Sequence, residues 1–338
     1  IHFTSGTTGS PKAVPLTHRN LTANAAQVAA AHELAAGTVT LNHLPAYHLM
    51  HLNAAVHAGA TQVLCRSTDT AEAVALANAT AATRLFDLPV RLARLAADPR
   101  LPGLRLGTVQ AIMSGGSALS SAVATARTNH FGSPVLQGDG LAEASPLTHC
   151  DRIADPRPGS VGPAVAGTEC AITDLDTGAP LPRGKRGEVR VRGPQVMRGY
   201  LDSDEQVVDR DGWLRTGDVG YEDADGRLYL VDRIGDVFKC DNELVAPTEV
   251  ERVLLRHPDV ADCVVFGVPD EYSGAVAHAL IVPACPGTDL GAVMRAVNAG
   301  LPYVQELRKV EAVARIPRSP AGKVSRRELG RAYESGER

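Results

Sequence analysis

The sequence lacks what would mark a nucleic-acid-binding, membrane-spanning or disulfide-built protein. Over 338 residues the net charge is −4, and a phosphate-backbone binder needs a clear basic excess. No uninterrupted apolar run approaches the roughly 18–20 residues that cross a bilayer, and no signal-peptide pattern is present. The six cysteines (Cys65, Cys150, Cys170, Cys240, Cys263 and Cys285) include no C-x-x-C pair. That spacing speaks against a zinc site or disulfide framework and suits reduced thiols in a cytoplasmic protein. There is no internal repeat and no low-complexity tract. An initiator methionine is also missing: the chain opens at Ile1, and residues 1–3 read as the end of a strand, so a cropped chain is expected.

What remains is the composition of a globular protein, 44% hydrophobic and 21% charged, with 22 prolines marking many turns. The length predicts two or more domains. Leu21, Ala25, Val28 and Ala29 recur at helical spacing and predict a helix with a small-residue face. TQVLC (61–65) reads as a buried strand, and Asp69 with Glu72 as a capping box for the helix behind it. LGTVQAIM (106–113) reads as a strand ending in SGG. Ser120 or Ser121 can cap the helix that follows to His130, and PVLQ (134–137) is a second strand ending in GDG. Two strands joined by a helix are expected to be parallel with a right-handed crossover. Both glycine loops then lie at one carboxyl edge, where open α/β sheets bind ligands.

From about Gly159 short strands with Gly/Pro turns (187–193 and 226–232) predict a small antiparallel subdomain. Beyond Gly235 come a helix from about Pro247, strands at 262–268 and 277–283, a helix near 288–300 and a strand near 309–315. That order predicts a compact α+β domain. The expected fold is thus α/β: a parallel-type sheet with helices and a small β subdomain, then an α+β domain.

TSGTTGSPK (4–12) is built for an anion. Its glycines allow close backbone approach, Ser5, Thr7 and Thr8 add hydroxyl donors, and Lys12 adds a point charge. It is not a Walker A loop, because Pro11 stands where the second glycine belongs and Ala13 where Ser or Thr belongs. A polar surface turn is the plain alternative for such a loop on its own. Lys239 and Lys323 taken singly read as solvated lysines, Glu143 as a surface carboxylate, Asp218 as a turn residue and His48 as a core histidine. The spacing of His43, His48 and His51 matches no zinc pattern.

The full stretch TSGTTGSPKAVPLTH resembles the phosphate loop of the adenylate-forming superfamily of acyl-CoA ligases, luciferases and peptide-synthetase adenylation domains. Further matches follow in the family's order. LPAYHLM (44–50) resembles its aromatic-His segment and QGDGLAE (137–143) its adenine and magnesium loop. GEVRVRGPQVMRGY (187–200) and GWLRTGD (212–218) resemble the next two motifs. VDRIGDVFK (231–239) resembles its hinge and IPRSPAGKVSRREL (316–329) its C-terminal lysine loop. The texture is most similar to 4-coumarate–CoA ligase-like acyl-CoA ligases, and the resemblance covers nearly the whole chain. It implies that the front portion of the large domain is absent.

The resemblance also implies a reaction. A carboxylate attacks the α-phosphorus of ATP, pyrophosphate leaves, and a thiol, usually of coenzyme A, displaces AMP from the acyl-adenylate. Catalysis is then positioning and charge stabilisation, with no protein nucleophile. Carried over residue by residue, Thr4, Ser5, Gly6, Thr7, Thr8, Gly9 and Lys12 hold phosphates. Gln137, Gly138, Asp139, Ala142, Asp218 and Arg233 complete the nucleotide site, and Glu143 holds Mg²⁺. Lys323 neutralises the α-phosphate and carboxylate oxygens, and Lys239 serves the second half-reaction. His48, Leu49, Met50, Gly115 and Gly116 line the acyl pocket, and Gly235 is the hinge.

The implied domains are 1–158 (ATP and acyl binding), 159–234 (β subdomain) and 235–338 (C-terminal lid). The implied partners are a small carboxylic acid, ATP, Mg²⁺ and coenzyme A. Two alternatives stand beside this one: a ligase loading a separate carrier protein, and a truncated or degenerate homologue without turnover. Asp139 replaces an aromatic that stacks on adenine, Ala142 a threonine at the phosphate, and DNEL (241–244) a pattern resembling KGFQ. Asn242 is expected to tolerate a left-handed backbone.

Overall fold

The computed structural model describes residues 1–4, 11–44, 49–201, 203–318 and 324–335. It divides into two compact units, one of residues 1–216 with 220–230, the other of 217–219 with 231–338.

The first unit opens with a two-stranded antiparallel pair, β1 (His2–Phe3) and β2 (Ala13–Val14). Then come α1 (His18–Ala31), β3 (Val39–Asn42), α2 (Leu49–Ala58), β4 (Thr61–Leu64), α3 (Thr70–Ala79) and β5 (Arg84–Asp87). They are followed by α4 (Pro89–Arg94), β6 (Ala111–Ser114), α5 (Ser121–Phe131), β7 (Val135–Gly140) and β8 (Leu147–Cys150). These strands form one sheet in the order β4-β3-β5-β6-β7-β8, parallel except for the last pair. The core on one face is Leu41, Leu85, Ile112 and Val135 against Val74, Leu92 and Phe131. Phe86, Met113 and Leu136 form the other face.

Several local expectations change. TQVLC is not a buried strand: β4 is the sheet's edge, with Thr61 and Leu64 exposed. The strand expected over 106–113 is confined to β6. Asp69 caps α3 by accepting from the Ala71 amide, without a reciprocal bond from Glu72 among the described residues. Ser120 takes the cap position of α5 but its hydroxyl makes no capping bond. The buried side of α1 includes amides as well as small apolar residues: Asn20, Asn24 and Gln27 are buried with Ala25, Val28 and Ala29.

A four-stranded sheet follows, with β9 (Glu169–Thr173), β10 (Gly187–Arg192), β11 (Leu214–Glu222) and β12 (Leu228–Arg233) in the order β12-β11-β10-β9. Val189, Val191, Leu214 and Leu228 form its core with Val14. Arg227 ties this sheet to the segment after β8 through buried Asp151 (2.5 Å) and Asp155 (2.6 Å).

The second unit holds β13 (Phe238–Cys240), β14 (Glu243–Val245), α6 (Pro247–Leu254), β15 (Val260–Asp270), β16 (Gly274–Pro283), α7 (Leu290–Asn298), β17 (Leu307–Ala312) and α8 (Arg326–Ser335). β15 and β16 are antiparallel, and β17 lies parallel to β16. Its separate core includes Val250, Leu254, Val265, Ile281 and Val293.

Candidate active site

The parallel register places the ends of β5, β6 and β7 side by side, with Asp87 opposite Ser114 and Ser114 opposite Gln137. Gly115 and Gly138 therefore meet where the sequence predicts: a Cβ on Gly115 would lie 3.4 Å from the Gly138 carbonyl oxygen. Gly116 turns the chain there with φ +87°. Gln137 accepts from the Leu119 amide at 3.2 Å, which fixes the loop after β6 against β7.

Beyond Gln137 the chain passes Gly138 and Asp139 and enters a short 3₁₀ turn, 142–144, which carries Ala142 and Glu143. Asp139 accepts from the Thr148 hydroxyl at 3.2 Å, through its carbonyl and its carboxylate. His149, opposite Asp139 in the β7–β8 pair, is fully buried, and burial takes its imidazole down to about 3. It is a neutral core histidine. Burial, then Asp151, pushes the neighbouring Cys150 thiol up to about 12, far from a reactive thiolate.

The Glu143 carboxylate is reached from an unexpected direction. The Tyr200 hydroxyl donates to its Oε1 at 2.5 Å. The same ring carries the Lys12 ammonium 4.9 Å from its centroid, and Lys12 is ion-paired with Glu205. Tyr200 thus joins the end of the phosphate-loop stretch to the carboxylate after β7.

Hydrogen bonds hold the 193–201 segment so that this happens. Asn20 of α1 donates to the Pro194 and Val196 carbonyls at 2.8 and 2.9 Å. Ser145 donates to the Gln195 carbonyl, the Met197 amide to the Glu143 carbonyl, and the Leu201 amide to the Ala13 carbonyl. The neck of the opening hairpin is closed by Thr4 and Lys12, through Thr4 N to Lys12 O at 3.0 Å and Lys12 N to Thr4 Oγ1 at 3.1 Å.

Met50, at the start of α2, packs with Val28, Ala54 and Leu147. His51 and His43, from the same stretch, are buried. His51 lies against Phe86 with ring centroids 4.1 Å apart. His43 Nδ1 approaches Asp87 at 2.9 Å, and its other nitrogen meets the Ser67 carbonyl. No group of three or more potential metal-ligating side chains occurs among the described residues.

In the second unit Asp218 and Arg233 are paired at 2.9 Å. The Ile234 amide bonds to the Gly217 carbonyl and places Gly235 directly beyond that pair. A Cβ on Gly235 would meet nothing within 4 Å. Lys239 is exposed on β13. Asp241 and Asn242, between β13 and β14, both adopt left-handed backbone, φ +48° and +67°, the geometry of a tight type I′ hairpin. Ser5, Gly6, Thr7, Thr8, Gly9, His48 and Lys323 lie outside the described residues, as does the side chain of Leu49.

The sequence reading missed Tyr200 and Glu205 as site residues. Tyr200 closes the quoted stretch GEVRVRGPQVMRGY, so that stretch was the available signal. Nothing local marks Glu205.

The AMP-binding enzyme family matches residues 1–201, and the AMP-binding enzyme C-terminal domain matches 249–323. The chain is 34% identical over 348 residues to 4-coumarate–CoA ligase 2 of Oryza sativa subsp. japonica, covering 97% of this chain and 61% of that relative. Its fold is similar to ATP-bound MatB from Rhodopseudomonas palustris, with a TM-score of 0.91 and 28% identity, covering 100% of this chain and 68% of that one. It is also similar to o-succinylbenzoate CoA synthetase (MenE) from Bacillus subtilis in complex with its acyl-adenylate intermediate, at TM-score 0.87 and 29% identity, with 97% and 68% covered. With ordered motifs, a matching fold and a family match over more than half its length, the chain belongs to the AMP-binding enzyme family.

Proposed function

We propose that this chain acts in an ATP-dependent acid–thiol ligase. A carboxylate oxygen attacks the α-phosphorus of ATP, the bond to the bridging oxygen breaks, and pyrophosphate leaves with the electron pair. The sulfur of coenzyme A then attacks the acyl carbon and AMP departs. The observation that carries this reading is the Lys12–Tyr200–Glu143 cluster, a cation and a carboxylate held beside the carboxyl edge of a parallel sheet. A phosphate ligand that binds with a metal ion can use both groups, the cation at its oxygens and the carboxylate at its metal.

In this reading Thr4 to Gly9 and Lys12 receive the β- and γ-phosphates. Gln137, Gly138, Asp139 and Ala142 border the adenine and α-phosphate, while Asp218 accepts from the ribose hydroxyls and Arg233 contacts ribose or phosphate. One hard carboxylate, with no cluster of three metal-ligating side chains among the described residues, suits Mg²⁺, which takes one or two carboxylates and fills its shell with phosphate oxygens and water. Glu143 would hold it, and the ion would neutralise charge on the phosphates. Tyr200 fixes Glu143 by bonding one oxygen and leaves the other for the ion. His48, Leu49, Met50, Gly115 and Gly116 would face the acid, Lys323 would serve the first step and Lys239 the second, with Gly235 as the hinge of a lid over 235–338.

The relatives' names support an acyl-CoA product: 4-coumarate–CoA ligase and o-succinylbenzoate CoA synthetase. The test is acid-dependent ATP–pyrophosphate exchange by the intact gene product across a panel of aromatic and aliphatic acids. Exchange that needs both acid and Mg²⁺ is expected, with coenzyme A then giving a thioester. Exchange without thioester formation on coenzyme A would redirect the second step to a carrier-protein thiol. No exchange with any acid would sink the ligase reading.

A further inference from the structure

Resting on that reading, we infer that Arg326 and Asp236 form a positioning clamp that makes the segment after the hinge glycine part of one body with α8. Arg326, the first residue of α8, is largely buried, with 13% of its side chain exposed. Its guanidinium makes a two-pronged bond to Glu251 of α6, with Nη2 at 2.9 and 2.8 Å from the two carboxylate oxygens. Nε donates to the Val265 carbonyl of β15 at 3.1 Å. The remaining nitrogen, Nη1, reaches Asp236 at 3.1 Å. Glu251 in turn accepts from the Val265 amide at 2.8 Å.

The two branches do different work. The Glu251 and Val265 bonds join α8 to α6 and β15 inside the unit's core, and the far end of the helix is held independently. There the Tyr333 hydroxyl bonds Lys309 at 2.6 Å and its ring meets His278 edge-on. Those contacts explain why α8 docks. They do not explain why a planar, forked cation spends its third arm on Asp236, one residue past Gly235.

That arm holds the link formed by Asp236 and Val237, beyond which Phe238 and Lys239 are paired with Val245 and Leu244 in β13 and β14. Gly235 has open space where a Cβ would stand. Rotation at Gly235 is useful only if the chain beyond it moves as a rigid piece and carries Lys239 with it. The amides of Asp236 and Val237 bond back to the Arg233 carbonyl, on the other side of the glycine. The Asp236 carboxylate is the side-chain tie in the opposite direction, to α8. Removing it would let motion at Gly235 dissipate in residues 236 and 237, and Lys239 would be presented with a spread of positions. A misplaced group slows its own step without weakening binding.

The test compares Asp236→Asn and Glu251→Gln in the intact gene product. Asp236→Asn is expected to leave Tm and pyrophosphate exchange within experimental error and to slow thioester formation from preformed acyl-adenylate about tenfold. Amide exchange at 236 and 237 should rise while β15 and β16 stay protected. Glu251→Gln should instead lower Tm, because it cuts the core branch. If Asp236→Asn lowers Tm, slows both half-reactions equally, or leaves thioester formation and exchange at 236 and 237 unchanged, the clamp is overturned. Wild-type protein without exchange activity would count against the ligase reading alone, since amide exchange still decides whether Asp236 holds the segment.

Discussion

The residues given roles in the proposed reaction lie in two regions built in opposite ways. At the β7–β8 edge of the first unit they are crowded. Gly140 abuts the Pro146 backbone, Asp139 is bonded by Thr148, and Glu143 is reached by a tyrosine that also carries Lys12. Around Gly235 in the second unit two of the assigned side chains are open: Arg233 has 52% of its side chain exposed and Lys239 is exposed, although Asp218 is largely covered. Crowding fixes geometry before a ligand arrives, and openness lets the backbone rotate. A reaction in two half-steps has use for both. The first region should therefore resist change and the second tolerate it.

Acid is expected to separate them most. In the first unit burial, then Arg84, takes His32 down to about 4, and burial takes His149 down to about 3. An unfolded imidazole titrates near 6.5. Between that value and the folded ones, the unfolded chain binds the extra protons. The stability these histidines confer is complete above about pH 6.5 and is lost as pH falls toward 4 and then 3, on the order of 3 kcal/mol for His32 and 5 for His149. In the second unit burial raises Glu251 and Asp236, so the folded state takes up their protons before the unfolded chain does and gains stability as they titrate on acidification. His278, lowered by burial, opposes them. Trp213, the single tryptophan, lies in the first unit and reports on it alone. Its fluorescence should show an acid transition while β15 and β16 amides remain protected. Simultaneous loss of both signals would remove this difference between the units.

Next in size is Gly140→Ala. The new Cβ would lie 2.6 Å from the Pro146 carbonyl oxygen and 2.9 Å from its carbon, both backbone atoms that cannot step aside cheaply. A loss of about 3 kcal/mol is expected in denaturant unfolding followed by Trp213 fluorescence. A loss under about 0.5 kcal/mol would mean this edge is looser than its packing implies.

Tyr200→Phe should act more gently and more selectively. It removes the hydroxyl bond to Glu143 while keeping the ring beneath Lys12. About 1 kcal/mol of stability should go with it, and ATP affinity should fall about fivefold in Mg²⁺. In EDTA the variant and the parent should bind ATP alike by calorimetry. Equal weakening with and without Mg²⁺ would assign the hydroxyl to the nucleotide rather than to the carboxylate.

This contrast explains what could be read in the sequence. In the second unit α6, β15, β16, α7 and β17 were legible, because β15, β16 and α7 are set by runs of local pattern and α6 opens on Pro247, whereas β13, β14 and α8 were not read as elements. The left-handed turn at Asn242 was legible for the same reason, since asparagine tolerates that backbone by itself. The meeting of the two glycine loops followed from strand–helix–strand connectivity. What escaped was non-local. β4 reads as apolar whether it is central or at an edge, and only the sheet order decides. The buried face of α1 is built on amides whose partners are carbonyls near Pro194 and Leu147, and no helical period in α1 contains them. Tyr200 is 57 residues from Glu143; its role exists only once α1 and the β7–β8 turn have clamped the segment before it.

The smallest stability effect is expected at Gly235, and that makes it the sharpest test of the comparison. A methyl there meets nothing within 4 Å and the backbone is not left-handed. Gly235→Ala should therefore change stability by less than about 0.5 kcal/mol, against about 3 for the same substitution at Gly140. If the open region exists for rotation, the cost should appear in kinetics, because alanine closes the positive-φ half of backbone space that glycine can enter. Pyrophosphate exchange should then persist while thioester formation slows. A Gly235→Ala protein that keeps both half-reactions at full rate would show that the freedom around this residue is unused. The second region would then be open only because nothing packs there.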